Sequence, residues 1–549
     1  MSKFKKLSTL ALFGAIALSA AACNGGGGGG GGGGSTSNPK LAFWHNFGAN
    51  YTNHMTDSFL TPLKNNEKLV IEAESKGSYD KLLNELSMTL AQRKFPNIAT
   101  GYPDHLSTYA RSGYPASRTG VLLNLNPYLD DENLNKDHKA KYGRTLREDF
   151  YPEYMEENNS IAYDEQDNQL TVGLPFNKST EVMGYNAIFV EYAKTVHPEL
   201  KIPETWAEWE TYGKTYRAVQ MSLNGKYLVY TKVDKDTFNN FSVVTSKPSS
   251  GTFLDFSEAE DAKTAILSWD SLANMFITLV RQYGSEFTSY TKEDRHEEDI
   301  VDQHGYMEFY SGETNKARTV EAMQMVKRLS GDPTKLEERV FAIPEVFGGN
   351  YSSDAFSKNK VMFTICSTGG LSYNINEGQR FKVAPIPYKD ASHKYVISQG
   401  ANITIFKRKS FFGEDFSVDD ISAAAFKTVV KMTTGDYQAT WATKTGYYPA
   451  SKSATESKIY QDFINGSGSD DDAISLAYRE GAQLNQNEYM TSAKGWHKFV
   501  DPGFDGSATI RLKVNGVIGD IINKQKTMTI DDVLQSYYSD PSLVKYVRG

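Results

Sequence analysis

The chain has 549 residues, 39% of them hydrophobic and 23% charged, with a net charge of −8 and a pI near 5.7. That length supports two or more domains and a large core, and the composition is ordinary for a soluble globular protein. An acidic balance with no basic stripe excludes nucleic acid as the expected partner.

The predicted elements run as follows. Lys3, Lys5 and Lys6 form a positive segment, Leu7 to Leu18 an apolar stretch, and Ala20, Ala21 and Ala22 lead into Cys23. This pattern predicts a secretory signal over residues 1–23, too short to span a bilayer. A cysteine after small residues resembles a bacterial lipobox, although Ala20 stands where Leu is usual. Cys23 is therefore the expected lipidation site. Residues 24–39 follow, with an unbroken glycine run from Gly25 to Gly34. Such a segment buries nothing and acts as a flexible leash of roughly 20–24 Å. Leu41 to Trp44 and Leu69 to Ile71 read as strands. Ser78 caps a helix over Tyr79 to Lys94 with Leu82, Leu83, Leu86 and Leu90 on one face, and Ile98 to Gly101 reads as the next strand. This βαβ rhythm favours a parallel sheet. Leu170 to Pro175 and Val182 to Tyr185 read as extended. Thr205 and Glu208 form a capping box for a helix to Met221. Ser268 to Arg281 and Thr319 to Leu329 read as helices, Val361 to Ile365 and Val383 to Ile386 as strands. Ser417 caps a helix to Met432, and the segment from Ala473 to Val544 is mostly helical. No later segment holds the roughly 18–20 apolar residues of a spanning helix.

Several short blocks occur in order: Phe43-Trp44-His45-Asn46, Lys76-Gly77-Ser78-Tyr79, Leu174 to Thr180, Tyr185-Asn186, Thr205-Trp206, Cys366 to Gly370, Gln399-Gly400-Ala401-Asn402, Thr445 to Pro449 and Ile510-Arg511. Together they resemble the family-1 extracellular solute-binding proteins of ABC importers, nearest to the glycerol-3-phosphate and glycerophosphodiester branch. The stretch from about Arg217 to Leu267 has no counterpart and reads as an insertion. The resemblance implies an α/β, two-lobed periplasmic-binding-protein-like fold of type II, with the ligand cleft between lobes joined by hinge strands. The expected lobes are residues 40–172 plus 386–450, and 173–385 plus 451–549, with crossings near Val172, Val383 and Ala450.

Residue chemistry and the resemblance together nominate the ligand-side groups. Tyr79 opens a helix, where free N–H groups favour an anion or hydroxyl. Asp104 is a carboxylate able to accept two hydroxyl hydrogens. Ser179 and Thr180 match a hydroxyl block of the family. Trp269 and Tyr447 offer ring faces, though Leu272 stands where the branch has a second Trp. Ser367, Thr368, Gly369 and Gly400 are small residues that permit close backbone approach. Arg511 matches a phosphate-binding arginine, and His45 and Asn46 end the first strand. For each of these, packing, turn chemistry or a surface ion pair is the alternative. Cys366 reads as a core cysteine. No HExxH, GxSxG or P-loop pattern occurs, so the expectation is no catalysis, no cofactor and no metal. The expected function is a monomeric, lipid-anchored receptor on the extracellular face of a bacterial membrane. It would close on a sugar, oligosaccharide or glycerol phosphate ester and deliver it to an ABC permease. A surface carbohydrate-active enzyme or an adhesin is the alternative.

Overall fold

The computed structural model describes residues 38–111, 120–158, 161–164, 166, 168–292, 303–376, 378–466 and 472–548. The expected signal, Cys23 and the linker up to Ser37 lie outside the described residues. Sixteen strands are described: β1 (Lys40–His45), β2 (Val70–Ser75), β3 (Ile98–Gly101), β4 (Leu174–Pro175), β5 (Ser179–Asn186), β6 (Tyr227–Lys232), β7 (Phe238–Val244), β8 (Thr252–Asp255), β9 (Leu267–Trp269), β10 (Thr288–Lys292), β11 (Gln303–Met307), β12 (Phe363–Ser367), β13 (Phe381–Ala384), β14 (Tyr395–Gln399), β15 (Asn402–Ile405) and β16 (His497–Phe499).

The first sheet has the order β2-β1-β3-β15-β4. Its first three strands are parallel, as the βαβ rhythm predicts, and β15 runs antiparallel to both β3 and β4. Successive β1 residues pack on opposite faces. Leu41 and Phe43 join Phe59, Phe176 and Trp441, while Trp44 joins Leu82, Leu86 and Leu106. The helix behind that second face, Tyr79–Ala91, begins where Ser78 Oγ accepts from Lys81 N at 3.3 Å.

The second sheet has the order β16-β14-β5-β12-β9, with β13 also on β5, and lies in the largest apolar core, with Trp206, Trp209 and Trp269. The helix Trp206–Leu223 carries the predicted capping box. Residues 268–281 do not form one helix. Leu267, Ser268 and Trp269 are fully buried in β9, parallel to Phe363–Ile365 of β12, and the helix Leu272–Gln282 starts only at the Ser271 cap. A short apolar run suits either element by pattern, and here sheet pairing decides. Within the stretch expected to be an insertion, β6, β7 and β8 form a three-stranded antiparallel sheet, in the order β7-β6-β8, against the same core.

The chain passes between the two large sheets at three places, the third between β15 and β16, over residues 406–496. From β4 to β5 it crosses through residues 176–178, slightly beyond Val172. It returns from β14 to β15 at Gly400-Ala401 rather than near Val383, because β13 and β14 both pair with β5. Gly400 permits this return: its φ is +125°, and a Cβ there would collide with the Asn177 carbonyl. Ala450 lies within that third passage, ahead of the helix Ala473–Leu484 that packs on β13. Ala450 O accepts from Tyr151 N, and Ser453 N donates to Asp149. The first two crossings are tied together by a buried pair: Lys178 Nζ donates to Glu157 and, at 3.2 Å, to Asn402 Oδ1.

Candidate ligand cleft

The helix Pro103–Arg111 follows β3, and the helix Ser507–Val514 packs beside Leu272–Gln282; the two helices meet across the crossing strands. Between them lies a cavity whose lining includes Tyr102, Asp104, Gln399, Gly400, Asp501 and Arg511. Its volume is about 40 Å³, room for about three waters and well below the roughly 300 Å³ of a small ligand pocket. The two halves are closed on each other. Tyr51 donates to Gly369 O at 2.8 Å, Arg111 Nε stands 3.9 Å from Asp505 Oδ1, and a Cβ on Gly503 would lie 2.7 Å from the Pro103 carbonyl. A solute of sugar size enters only if the halves part by a hinge motion about the crossing strands.

Arg511 is the only cation among the described residues lining the cavity, and the charged groups beside it are the carboxylates Asp104, Glu157 and Asp501. It donates to Asn274 Oδ1 and stands 4.0 Å from Asp501 Oδ2. The Asn274 amide in turn donates to Glu181 Oε1 at 2.9 Å and to Gln399 Oε1 at 2.8 Å. Trp269 Nε1 donates to the same Glu181 oxygen at 3.0 Å. Asp501 Oδ2 and Glu181 Oε2 are buried with no hydrogen-bond partner among the described residues. Burial pushes the Asp501 carboxyl up to about 6, against the pull of Arg511 and Arg281. It pushes Glu181 up to about 7, against the donors Trp269 and Asn274. Asp104 sits in the first turn of its helix and accepts from the His105 backbone N–H at 2.9 Å.

Beside the charged end lies a group of tyrosines from both halves. Tyr79 stacks on Tyr102 with ring centroids 4.1 Å apart. Burial drives its hydroxyl far above the ordinary range, and neighbouring Tyr102 and Tyr447 add to this. The Tyr447 ring lies against Gly369, where a Cβ would come within 2.7 Å of it. Tyr51, Tyr373 and Tyr478 complete the group through their interactions with Tyr447. The Tyr79 and Thr368 hydroxyls are buried without a hydrogen-bond partner among the described residues.

The nominated residues therefore divide. Asp104, Gly400 and Arg511 line the cavity, while Tyr79, Tyr447, Thr368 and Gly369 belong to the tyrosine end. Asn46 is half-buried, and its Oδ1 accepts from Thr100 Oγ1 at 3.2 Å. Ser367 ends β12, paired with Glu181. Four others are committed elsewhere. Trp269 is 0% exposed and stacked on Trp206, so its ring faces the core rather than a ligand. Thr180 Oγ1 lies 3.2 Å from the Tyr448 hydroxyl, and Ser179 is buried opposite Gln399 in the sheet. His45 stacks on Phe47, its Nδ1 accepts from Phe47 N, and burial lowers its pKa to about 4, which keeps it neutral. Gly400 serves the chain crossing in addition to lining the cavity. Cys366 is fully buried, as its core reading expects.

The sequence reading missed Tyr102, Glu181, Asn274, Gln399 and Asp501. Tyr102, Glu181 and Gln399 adjoin nominated residues, and strand alternation in Ser179-Thr180-Glu181 was the available signal. Nothing local marked Asn274 or Asp501.

A family model described as bacterial extracellular solute-binding protein matches residues 59–465. A comparison with the curated proteins finds no match. Among solved structures, UgpB of Mycobacterium tuberculosis in complex with glycerophosphocholine is similar at 13% identity and TM-score 0.60, over 92% of this chain and 98% of that one. An ABC substrate-binding protein of Listeria monocytogenes in complex with cycloalternan is similar at 13% identity and TM-score 0.60, over 93% of this chain and 100% of that one. The GacH receptor of Streptomyces glaucescens, solved with acarbose, gives 12% identity and TM-score 0.58, over 93% and 98%. The chain shares their two-lobed periplasmic-binding-protein-like fold. With the family model matching residues 59–465, the chain belongs to the bacterial extracellular solute-binding proteins.

Proposed function

We propose that this chain is the solute receptor of an ABC importer, held at the extracellular face of the membrane by a lipid on Cys23. It captures a carbohydrate-type solute, a sugar, oligosaccharide or glycerol phosphate ester, and hands it to a membrane permease without any covalent step. It acts as a monomer. One lobe carries the first sheet and the other carries the second, with the hinge at residues 176–178 and 400–401. The observation that carries the reading is the convergence of Asp104 from one lobe and Asp501 and Arg511 from the other on one cavity at the crossing strands. Such contacts exist together only when the lobes are closed, so a solute that makes both sets stabilises closure. The ligands named for the similar structures, glycerophosphocholine, cycloalternan and acarbose, are small hydroxyl-bearing molecules and support the same class.

The test is a thermal shift of the full chain against maltotriose, cycloalternan, glycerol-3-phosphate and glycerophosphocholine. A ligand at 100 times its dissociation constant adds about 2.7 kcal/mol. At least one should raise the midpoint, and Arg511→Ala should weaken that shift measured against its own ligand-free midpoint. No shift with any of them would sink the receptor reading. Membrane retention lost in Cys23→Ala tests the anchor separately.

A further inference from the structure

We infer that Asp501, Glu181 and Asn274 set the charge specificity of the cleft. They engage Arg511 so that the site takes the hydroxyls of an uncharged sugar or polyol and disfavours a phosphate ester. The inference rests on the receptor reading above and narrows its solute.

An arginine that binds phosphate presents its N–H fork to the anion. Here one nitrogen of that fork donates to Asn274, and another faces Asp501 at 4.0 Å. Asn274 is itself anchored by Glu181, at 2.9 Å, and by Gln399, at 2.8 Å. The acid and base groups lining the cavity are Asp104, Glu157 and Asp501 against Arg511 alone. Glu157 has its own counterion in Lys178, which leaves two carboxylates facing one guanidinium, with Glu181 behind them. Arg281 also faces Asp501, but it is shared with Glu286 at 3.4 Å. The local field therefore disfavours an added anion.

Hydrogen-bond type points the same way. Asp501 Oδ2 and Glu181 Oε2 are buried acceptors with no donor among the described residues. A sugar hydroxyl both donates and accepts, so it can satisfy a carboxylate oxygen and receive an N–H from Arg511 at once. A phosphate dianion has only acceptors and leaves the Asp501 oxygen, at the cavity wall, unmet. Asp501 is within reach to act as the discriminating group, while Glu181 and Asn274 are positioning residues that act through Arg511.

The experiment measures dissociation constants of the full chain for maltotriose, cycloalternan and glycerol-3-phosphate, in the parent, Asp501→Asn and Glu181→Gln. The expected result is that a neutral sugar binds the parent at least about tenfold more tightly than glycerol-3-phosphate. Asp501→Asn should then shift that ratio toward the phosphate ester by about tenfold or more. Glu181→Gln should shift it in the same direction by less, and it carries the test alone if Asp501→Asn does not fold. A parent that prefers glycerol-3-phosphate, or a ratio unmoved in both variants, overturns the inference while leaving the receptor reading intact. A folded parent that binds none of the three overturns both.

Discussion

The lining of the cleft and the layer directly behind it come from neighbouring positions of the same elements, yet they differ in how their polar atoms are used. In the layer behind, Trp269 Nε1 is bonded to Glu181, Thr180 to Tyr448 and His45 to Phe47 N. At the cavity wall Asp501 keeps a buried oxygen with no hydrogen-bond partner among the described residues, and so do Glu181 and the Tyr79 hydroxyl nearby. An unmet buried polar atom costs stability; Ser268 Oγ and Trp209 Nε1 in the back layer are also buried without a partner among the described residues, but only at the cavity can a ligand relieve that cost. A ligand can reach the front layer and not the back layer, and that difference in access separates the two by experiment.

Trp269→Ala gives the largest expected effect. It removes a fully buried ring stacked on Trp206 and should lower unfolding stability by about 3–5 kcal/mol in denaturant, with little change in ligand affinity for the molecules that remain folded. Comparable stability with lost binding would instead place this ring at the ligand and collapse the distinction between layers.

Glu181 joins the layers, and its prediction is a pH profile. Its carboxyl is raised from 4.5 to about 7, chiefly by burial, with Asp270 adding and Trp269, Asn274 and Arg511 opposing. Between those values the folded state holds a proton that the unfolded chain releases. Stability from this group is therefore full at low pH and is lost as pH rises through that window. Glu181→Gln removes the loss, so its stability relative to the parent should climb by roughly 3 kcal/mol at most between about pH 4 and pH 8. A flat difference across that range would show that the carboxyl is not desolvated as described.

The smallest effect sharpens the same contrast. Tyr79→Phe removes a hydroxyl that lies near Asn46, Tyr102 and Tyr447 but makes no hydrogen bond within 3.5 Å among the described residues; ligand-free stability should stay level or rise by up to about 1 kcal/mol, measured by thermal unfolding. A clear loss of stability would mean that this hydroxyl is already satisfied and belongs with the back layer.

Much of the first sheet was legible in the sequence. β1, β3 and the helix at Tyr79 follow from apolar spacing and a Ser cap, and the capping boxes at Thr205 and Ser417 start helices where predicted. The second sheet was less so. Leu267-Ser268-Trp269 has no local signal that separates a buried strand from a helix, and β14 and β16 were missed because their pairing with β5 and with each other joins segments remote in sequence. At the cleft, Asp104, Gly400 and Arg511 stand in short blocks that could be read directly. Their neighbours Tyr102 and Gln399 are as close to the cavity but carried no separate mark.

The sequence by itself determined the acidic composition, the export-like N-terminus, the helix caps, the alternating rhythm of the first sheet and the order of blocks that resemble the solute-binding proteins. These are local properties, set by spacing along the chain. Only the tertiary structure decided which of Ser179, Thr180 and Glu181 serves the Arg511 network, where the chain recrosses at Gly400, and what surrounds Arg511. The environment of one guanidinium is set by Asp104, Glu181, Asn274 and Asp501 together, and these residues are spread from position 104 to position 501 and meet only when two sheets and their helices have packed.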